Sequence, residues 1–65
     1  MNAFLITSPK GISEFKYSFA QVQEEMNQLE KEGVVSNVKV QKFEDSFLTK
    51  EFIYDFNGEQ WEKRK

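Results

Sequence analysis

The chain has 65 residues, which is the size of one small domain, and we expect residues 1–65 to fold as a single unit. The absence of Cys and His excludes disulfide bridges, zinc fingers and catalytic centres built on either residue. The net charge of -2 has the wrong sign for a general nucleic-acid binder. Aromatic residues make up 15% of the chain, which is typical of a folded domain rather than a disordered one.

The first predicted feature is a β-hairpin with strands over 3–7 and 12–17. Pro9 and Gly11 stand at the second and fourth positions of the turn between them, as a type I turn with a following left-handed residue prefers. The apolar run at the start of the chain is much shorter than a signal-peptide core. No stretch reaches the roughly 20 apolar residues of a membrane span, so we expect a cytoplasmic protein without a membrane partner.

A helix over 19–32 is the most strongly indicated element. Ser18 is a good N-cap, and Gln21 stands three residues later, as in a capping box. Gly33 suits the left-handed position after a helix, and Leu29 and Val34 are spaced for the apolar contact of a Schellman motif. The apolar stripe of the helix consists of Phe19, Val22, Met26 and Leu29.

A second hairpin is predicted after the helix, with strands over 34–43 and 47–56 and a three-residue turn. Phe43 then faces Phe47. Three further cross-strand pairs support this register: Val38 with Phe52, Val34 with Phe56, and Lys39 with Glu51. For residues 57–65 two alternatives remain: a short extra strand after an Asn57-Gly58 turn, with Trp61 opposite Tyr54, or a frayed tail.

These elements predict an α+β domain of ββαββ type, with one helix packed on one face of a mainly antiparallel sheet. The helix-covered face is assigned Phe4, Ile6, Phe15, Val34, Val38, Val40, Leu48, Phe52, Tyr54 and Phe56. The opposite face is assigned Leu5, Val35, Phe43, Phe47 and Ile53, with Trp61 nearby. Because one helix covers one face, we expect these six residues to form an uncovered apolar patch, which usually marks an interface. The alternative is that the first and last segments fold over this face, or that its apolar residues are scattered as on any protein surface.

Catalysis, a cofactor and a metal site are not expected. Glu24 and Glu25 belong to a solvated helix face, where carboxylates keep ordinary pKa values. Glu44 and Asp45 fit turn chemistry, and no calcium-loop spacing is present in the sequence. The remaining classes of function are binding functions.

The sequence therefore predicts a non-catalytic protein-interaction module that self-associates through its sheet as a homodimer or binds a different protein. Its size suits a small regulator or inhibitor of the phage or mobile-element type. The alternative is a single-stranded nucleic-acid binder that uses the second hairpin, where Lys39, Lys42 and Lys50 alternate with aromatic residues.

Overall fold

The computed structural model describes residues 1–64, which form one α-helix and a five-stranded antiparallel sheet. The elements in chain order are β1 (Asn2–Ser8), β2 (Gly11–Ile12), α1 (Phe19–Lys31), β3 (Val38–Glu44), β4 (Phe47–Phe56) and β5 (Trp61–Arg64). Across the sheet the strand order is β2-β1-β3-β4-β5. The prediction of one helix on an antiparallel sheet is confirmed. The ββαββ order is corrected, because a fifth strand follows the second hairpin.

The first hairpin forms around the predicted turn, but its second strand is shorter than predicted. Ser8 pairs with Gly11, whose φ of +128° is accessible to glycine at little cost. Regular pairing ends at Ile12. The next residue, Ser13, uses its hydroxyl oxygen to accept a hydrogen bond from the backbone N–H of Ile6 at 3.1 Å. The Ser13 backbone N–H still donates to the Ile6 carbonyl at 2.8 Å, so the hydroxyl replaces only one of the two backbone bonds of this pair and ends the regular ladder.

A one-residue bulge separates this short ladder from a second contact between the same segments. Thr7 pairs with Ile12, whereas Phe4 pairs with Lys16, so the second segment has one more residue than β1 over this stretch. An extra residue reverses which side chains share a face. Lys16 therefore lies on the helix side of the sheet and Phe15 on the opposite side, so the predicted face of Phe15 is wrong.

The N-terminus of α1 is built as the capping pattern predicts. The backbone N–H of Gln21 donates to Ser18 Oγ at 3.2 Å. The side chain of Gln21 reaches back and its Oε1 accepts from the backbone N–H of Tyr17 at 2.8 Å. These bonds satisfy donors that a helix end otherwise leaves free.

The C-terminus of α1 is a Schellman motif, and the predicted helix is confirmed to within one residue. The backbone N–H of Val34 donates to the carbonyl of Leu29 at 2.9 Å, and that of Gly33 to Glu30 at 3.0 Å. Gly33 has a φ of +90°, which is why glycine is favoured there. The predicted strand start at Val34 is wrong, because this residue completes the helix cap and β3 begins at Val38.

The second hairpin exists, but its predicted register is wrong. Its turn has two residues, Asp45 and Ser46, with φ of +50° and +73°, as in a type I′ turn. The shorter turn pairs Glu44 with Phe47. Further along the strands, the observed pairs are Val38 with Tyr54, Val40 with Phe52, and Gln41 with Glu51. This two-residue shift leaves each of these side chains on its predicted face.

A second bulge lies near the tip of this hairpin, at Thr49. Lys42 pairs with Lys50, whereas Phe43 pairs with Leu48, so Thr49 is an extra residue on β4. Between this bulge and the hairpin turn, the side chains of β4 point to the faces opposite to those that simple alternation predicts. Leu48 consequently shares a face with Phe43, away from the helix. Its neighbour Phe47 lies on the helix side, so the predicted faces of Phe47 and Leu48 are exchanged.

Residues 57–64 adopt the strand alternative rather than the frayed tail, while Lys65 lies outside the described residues. The predicted two-residue turn is replaced by a four-residue loop, because Phe56 pairs with Trp61. The Asn57 side chain stabilises this loop, because its Oδ1 accepts hydrogen bonds from the backbone N–H groups of Glu59 and Gln60, each at 2.8 Å.

The core lies between α1 and two of the three interior strands, β1 and β3. Its buried members are Ile6, Val22, Met26, Leu29, Val34, Val38 and Val40. Phe4, Tyr54 and Trp61 pack against this cluster from its edges. Within residues 1–64 there is no helix with the length and apolarity needed to cross a membrane.

Candidate protein-interaction site

The face of the sheet that points away from α1, here called the open face, is the candidate site. Its residues follow from the strand registers, because directly paired residues of antiparallel strands point to the same side. Among residues 1–64, no secondary-structure element covers this face. The open face is therefore available to a partner.

One end of the open face carries a cluster of apolar side chains, here called the apolar patch: Ala3, Leu5, Phe15, Phe43 and Leu48. Phe43 is at its centre, because it pairs with Ala3 on one side and with Leu48 on the other. The rings of Phe15 and Phe43 meet edge to face, with centroids 5.9 Å apart. Phe15 is 49% exposed and Leu48 is 50% exposed, so the patch faces solvent.

A shallow groove of about 510 Å³ extends from the patch toward the hairpin tip. Its lining residues are Met1, Ala3, Phe15, Tyr17, Phe43, Asp45 and Ser46. The polar rim includes the Asp45 carboxylate, which lies 2.9 Å from the N-terminal ammonium group. This ammonium group lowers the pKa of Asp45 by hydrogen bonding and by charge. The groove thus has an apolar floor, and at its rim the charge of Asp45 is balanced by that of the N-terminal ammonium group.

The centre and far end of the open face are polar but internally paired. Gln41 Nε2 donates to Glu51 Oε2 at 2.9 Å, across the β3 and β4 pair. At the far end, Arg64 donates to both carboxylate oxygens of Asp55, at 2.9 and 2.8 Å. The Arg64 hydrogen bonds, with one from the Asn37 backbone N–H, lower the pKa of Asp55 to about 2. The carboxylate is therefore held ionised.

Three of the six residues predicted as an interface lie on the open face. Leu5 and Phe43 are together in the apolar patch, and Ile53 lies further along, beyond the pair formed by Gln41 and Glu51. Val35 is 46% exposed but lies in the loop before β3, where its carbonyl accepts from the backbone N–H of Phe56 at 2.8 Å.

The other two predicted interface residues are elsewhere. Phe47 is 74% exposed and lies on the helix side, because of the bulge at Thr49. Trp61 packs against the core, and its ring centroid is 5.3 Å from that of Phe56. Phe15 and Leu48 also lie on the open face, although strand alternation predicted the opposite face for both, because each follows or precedes a bulge that alternation alone does not show.

The three lysines predicted to contact nucleic acid do not share a face. Lys39 pairs with Ile53 and lies on the open face. Lys42 and Lys50 pair with each other on the helix side. The helix side also carries Lys63, which pairs with Tyr54 on β4. The lysine set on one surface is therefore Lys42, Lys50 and Lys63.

The described part of the chain contains no group of three acidic side chains placed to hold a metal ion. The carboxylates with shifted pKa values are Glu32, Asp45 and Asp55, and all three are lowered by hydrogen bonds to neighbouring groups. Such carboxylates are poorer proton acceptors than free ones. Comparisons with protein-family models, curated proteins and solved structures found no match to the chain.

Proposed function

We propose that the protein is a non-catalytic interaction module that self-associates through the open face of its sheet. The observation that carries this proposal is the apolar patch around Phe43. Solvent-exposed apolar side chains of this size, gathered on one face, are typical of a protein interface. A sheet face that only meets water would alternate to polar residues instead.

The area of the open face suits a dimer. The molecule measures 34 Å and 23 Å along its two longer axes. These extents limit the open face to about 800 Å², so an interface that used most of it would reach the usual contribution of one subunit to a stable complex. An isologous contact between two copies would bring the apolar patch of one against the same face of the other.

The charges of the open face also favour a second copy. Arg64 and Asp55 are paired within the chain, which leaves Lys39 as the cation and Glu51 and Glu62 as the anions that a second copy can meet. A two-fold axis allows the cation of one copy to meet anions of the other, so the face is complementary to itself. A partner with a strong charge of one sign would meet like charges here.

A non-catalytic role in the cytoplasm is part of this proposal. Asp45 and Asp55 have lowered pKa values, which is opposite to the shift that a general acid or base at neutral pH needs. A chain without Cys is suited to a reducing compartment. A small regulator that acts by occupying a partner would need only its surface.

The test is the mass in solution, measured by light scattering on a sizing column over a series of concentrations. Wild-type protein should have twice the 7.7 kDa mass of the chain at the higher concentrations. Leu48→Asp places a charge in the apolar patch and should raise the dissociation constant about tenfold or more, as loss of an interface anchor does.

Phe47→Asp is the matched control, because Phe47 is the adjacent residue on the same strand but points to the other side of the sheet. It should leave the mass unchanged. Circular dichroism of both variants verifies folding. A monomer at every concentration of wild-type protein, or equal dissociation by the two variants, contradicts self-association through the open face.

A further inference from the structure

The helix side of β3, β4 and β5 carries a second surface, here called the lysine ledge: Lys42, Lys50, Lys63, Phe47, Phe52 and Tyr54. The registers place all six on the same side of the sheet. The buried core residues of the sheet belong to β1 and β3, so α1 packs over those strands and the ledge lies beside the helix. The lysine ledge and the open face are thus on opposite sides of the sheet.

Two lysines are paired directly across the strands at the ledge. Lys42 and Lys50 are register partners on β3 and β4. Like charges directly opposite each other destabilise an antiparallel pair. Lysines often guard sheet edges against aggregation, but Lys42 is on a central strand, with Phe4 of β1 as its other neighbour. Binding of an anion between the two ammonium groups would relieve this repulsion.

The bulge at Thr49 creates this pairing. It aims Thr49 and Lys50 to the same side as Lys42, and Thr49 Oγ1 donates to the carboxylate of Glu44 at 3.0 Å. Glu44 Oε2 is 4.0 Å from Lys42 Nζ and is thus only a distant counter-ion. On β3, β4 and β5 the helix side therefore carries three lysines and one carboxylate, whereas the open face carries more acidic than basic residues.

Aromatic rings flank the paired lysines. Phe47 is 74% exposed, at the hairpin tip. Phe52 lies further along β4, and Lys63 Nζ is 4.8 Å from the centroid of its ring. The rings of Phe52 and Tyr54 meet edge to face with centroids 6.3 Å apart. Rings next to cations on a sheet are the arrangement on which unpaired bases stack while phosphates meet lysines.

We propose that the lysine ledge binds single-stranded nucleic acid, with a phosphate between Lys42 and Lys50 and a base stacked on the exposed ring of Phe47. This surface differs from the predicted one, because Lys39 and Phe43 lie on the open face instead. An acidic polypeptide could satisfy the lysines, but it would leave the ring faces without a planar partner. The rings therefore favour the nucleic acid.

The experiment is a fluorescence anisotropy titration of a labelled oligothymidylate with the full chain. The oligonucleotide has about twelve nucleotides, within the range that single-strand binding folds occupy. We expect saturable binding at low salt with a dissociation constant below roughly 100 µM. Three lysine contacts predict that the logarithm of the binding constant falls with the logarithm of salt concentration with a slope of about -2.

Two variants test the geometry. Lys50→Glu should weaken binding about tenfold or more, because it removes a phosphate contact and adds a repulsive charge. Phe47→Ser should weaken binding about fivefold or more through loss of stacking. Lys39→Glu is the matched control on the open face and should leave the affinity within about twofold. Leu48→Asp, which tests self-association, should also leave it unchanged.

Four results would overturn the proposal. They are absence of saturable binding, equal weakening by Lys39→Glu and Lys50→Glu, equal affinity for a duplex of the same length, and displacement of the oligonucleotide by an equal charge of polyglutamate. The last result would identify the ligand as an acidic polypeptide. Because Lys50 and Phe47 are exposed, their variants should fold, and circular dichroism verifies this.

Discussion

Arg64 donates hydrogen bonds from two nitrogen atoms to the carboxylate of Asp55: Nε donates to Oδ2 at 2.9 Å, and Nη2 donates to Oδ1 at 2.8 Å. The same Nη2 donates to Asn37 Oδ1 at 2.6 Å, and the backbone N–H of Asn37 donates back to Asp55 Oδ1 at 3.0 Å. Three chain segments are joined by this closed set of bonds: the loop before β3, the end of β4, and β5.

The hydrogen bonds to Asp55 predict a specific acid sensitivity. Arg64 and Asn37 lower the pKa of Asp55 from 3.8 to about 2. A carboxyl group with a lowered pKa in the folded state stabilises the fold above its unfolded pKa and loses that effect as pH falls toward its folded pKa. This contribution should therefore be complete above about pH 4 and should disappear between about pH 4 and pH 2.

Urea unfolding of wild type and Asp55→Asn, from roughly pH 6 to pH 2, measures this effect. The variant should be less stable than wild type at the upper end, and the difference should shrink as pH falls. Glu62→Gln removes a carboxylate from the same end of the open face without touching the Arg64 bonds. An equal, pH-dependent loss in Glu62→Gln would contradict the assignment to Asp55.

The turn of the second hairpin predicts a stabilising substitution. Asp45 and Ser46 both have positive φ, which is unfavourable for residues with a side chain. Ser46→Gly produces the Asp-Gly sequence that type I′ turns prefer and should raise the free energy of unfolding by about 0.5–1 kcal/mol. Thermal and urea unfolding measure the change.

The control for this turn is Ser36→Gly, in the loop before β3. Ser36 is not among the residues with positive φ, so glycine there only increases the freedom of the unfolded chain. It should lower the free energy of unfolding by about 0.4–1 kcal/mol. If both glycines act in the same direction, the turn geometry at Ser46 is wrong.

Two members of the apolar stripe of α1 should respond very differently to truncation. Met26 is 3% exposed in the core, whereas Phe19 is 63% exposed and meets the Phe4 ring edge to face, at a centroid distance of 6.3 Å. Met26→Ala should cost about 2–5 kcal/mol of unfolding free energy. Phe19→Ala should cost about 1 kcal/mol, the scale of an aromatic pair.

Urea unfolding at one pH compares the two helix variants directly. Alanine is the best helix former, so neither substitution weakens α1 through propensity. A larger loss for Phe19→Ala than for Met26→Ala would mean that the helix is rotated from the orientation seen here, with its stripe centred near the N-terminus.

The helix was predictable because its signals are local. The cap at Ser18 and the Schellman motif at Gly33 depend on residues at most five positions apart, and both were confirmed with their hydrogen bonds. Strand order is different in kind, since β1 pairs with β3 across the whole of β2 and α1. Alternation along a strand carries no information about which strand lies beside it.

The candidate site was only partly predictable, because bulges in two strands change which side chains share a face. Each bulge adds one residue, and one residue is enough to move the following side chains to the other face. Leu5 and Phe43 were placed on the correct face, because β1 and β3 pair without a bulge. Phe15 and Leu48 were not, because the bulges near Ser13 and at Thr49 leave no signature in the apolar pattern.

The position of β1 between β2 and β3 also constrains how the chain acquires its structure during synthesis. The first hairpin and α1 leave the ribosome before Val38 and Val40, which supply the most buried part of the sheet. Until β3 emerges, one edge of β1 and the apolar stripe of α1 have no partner within the chain. A chain in which β3 has not yet docked therefore presents an open strand edge and an apolar helix at once, and such a state favours misassembly between neighbouring chains.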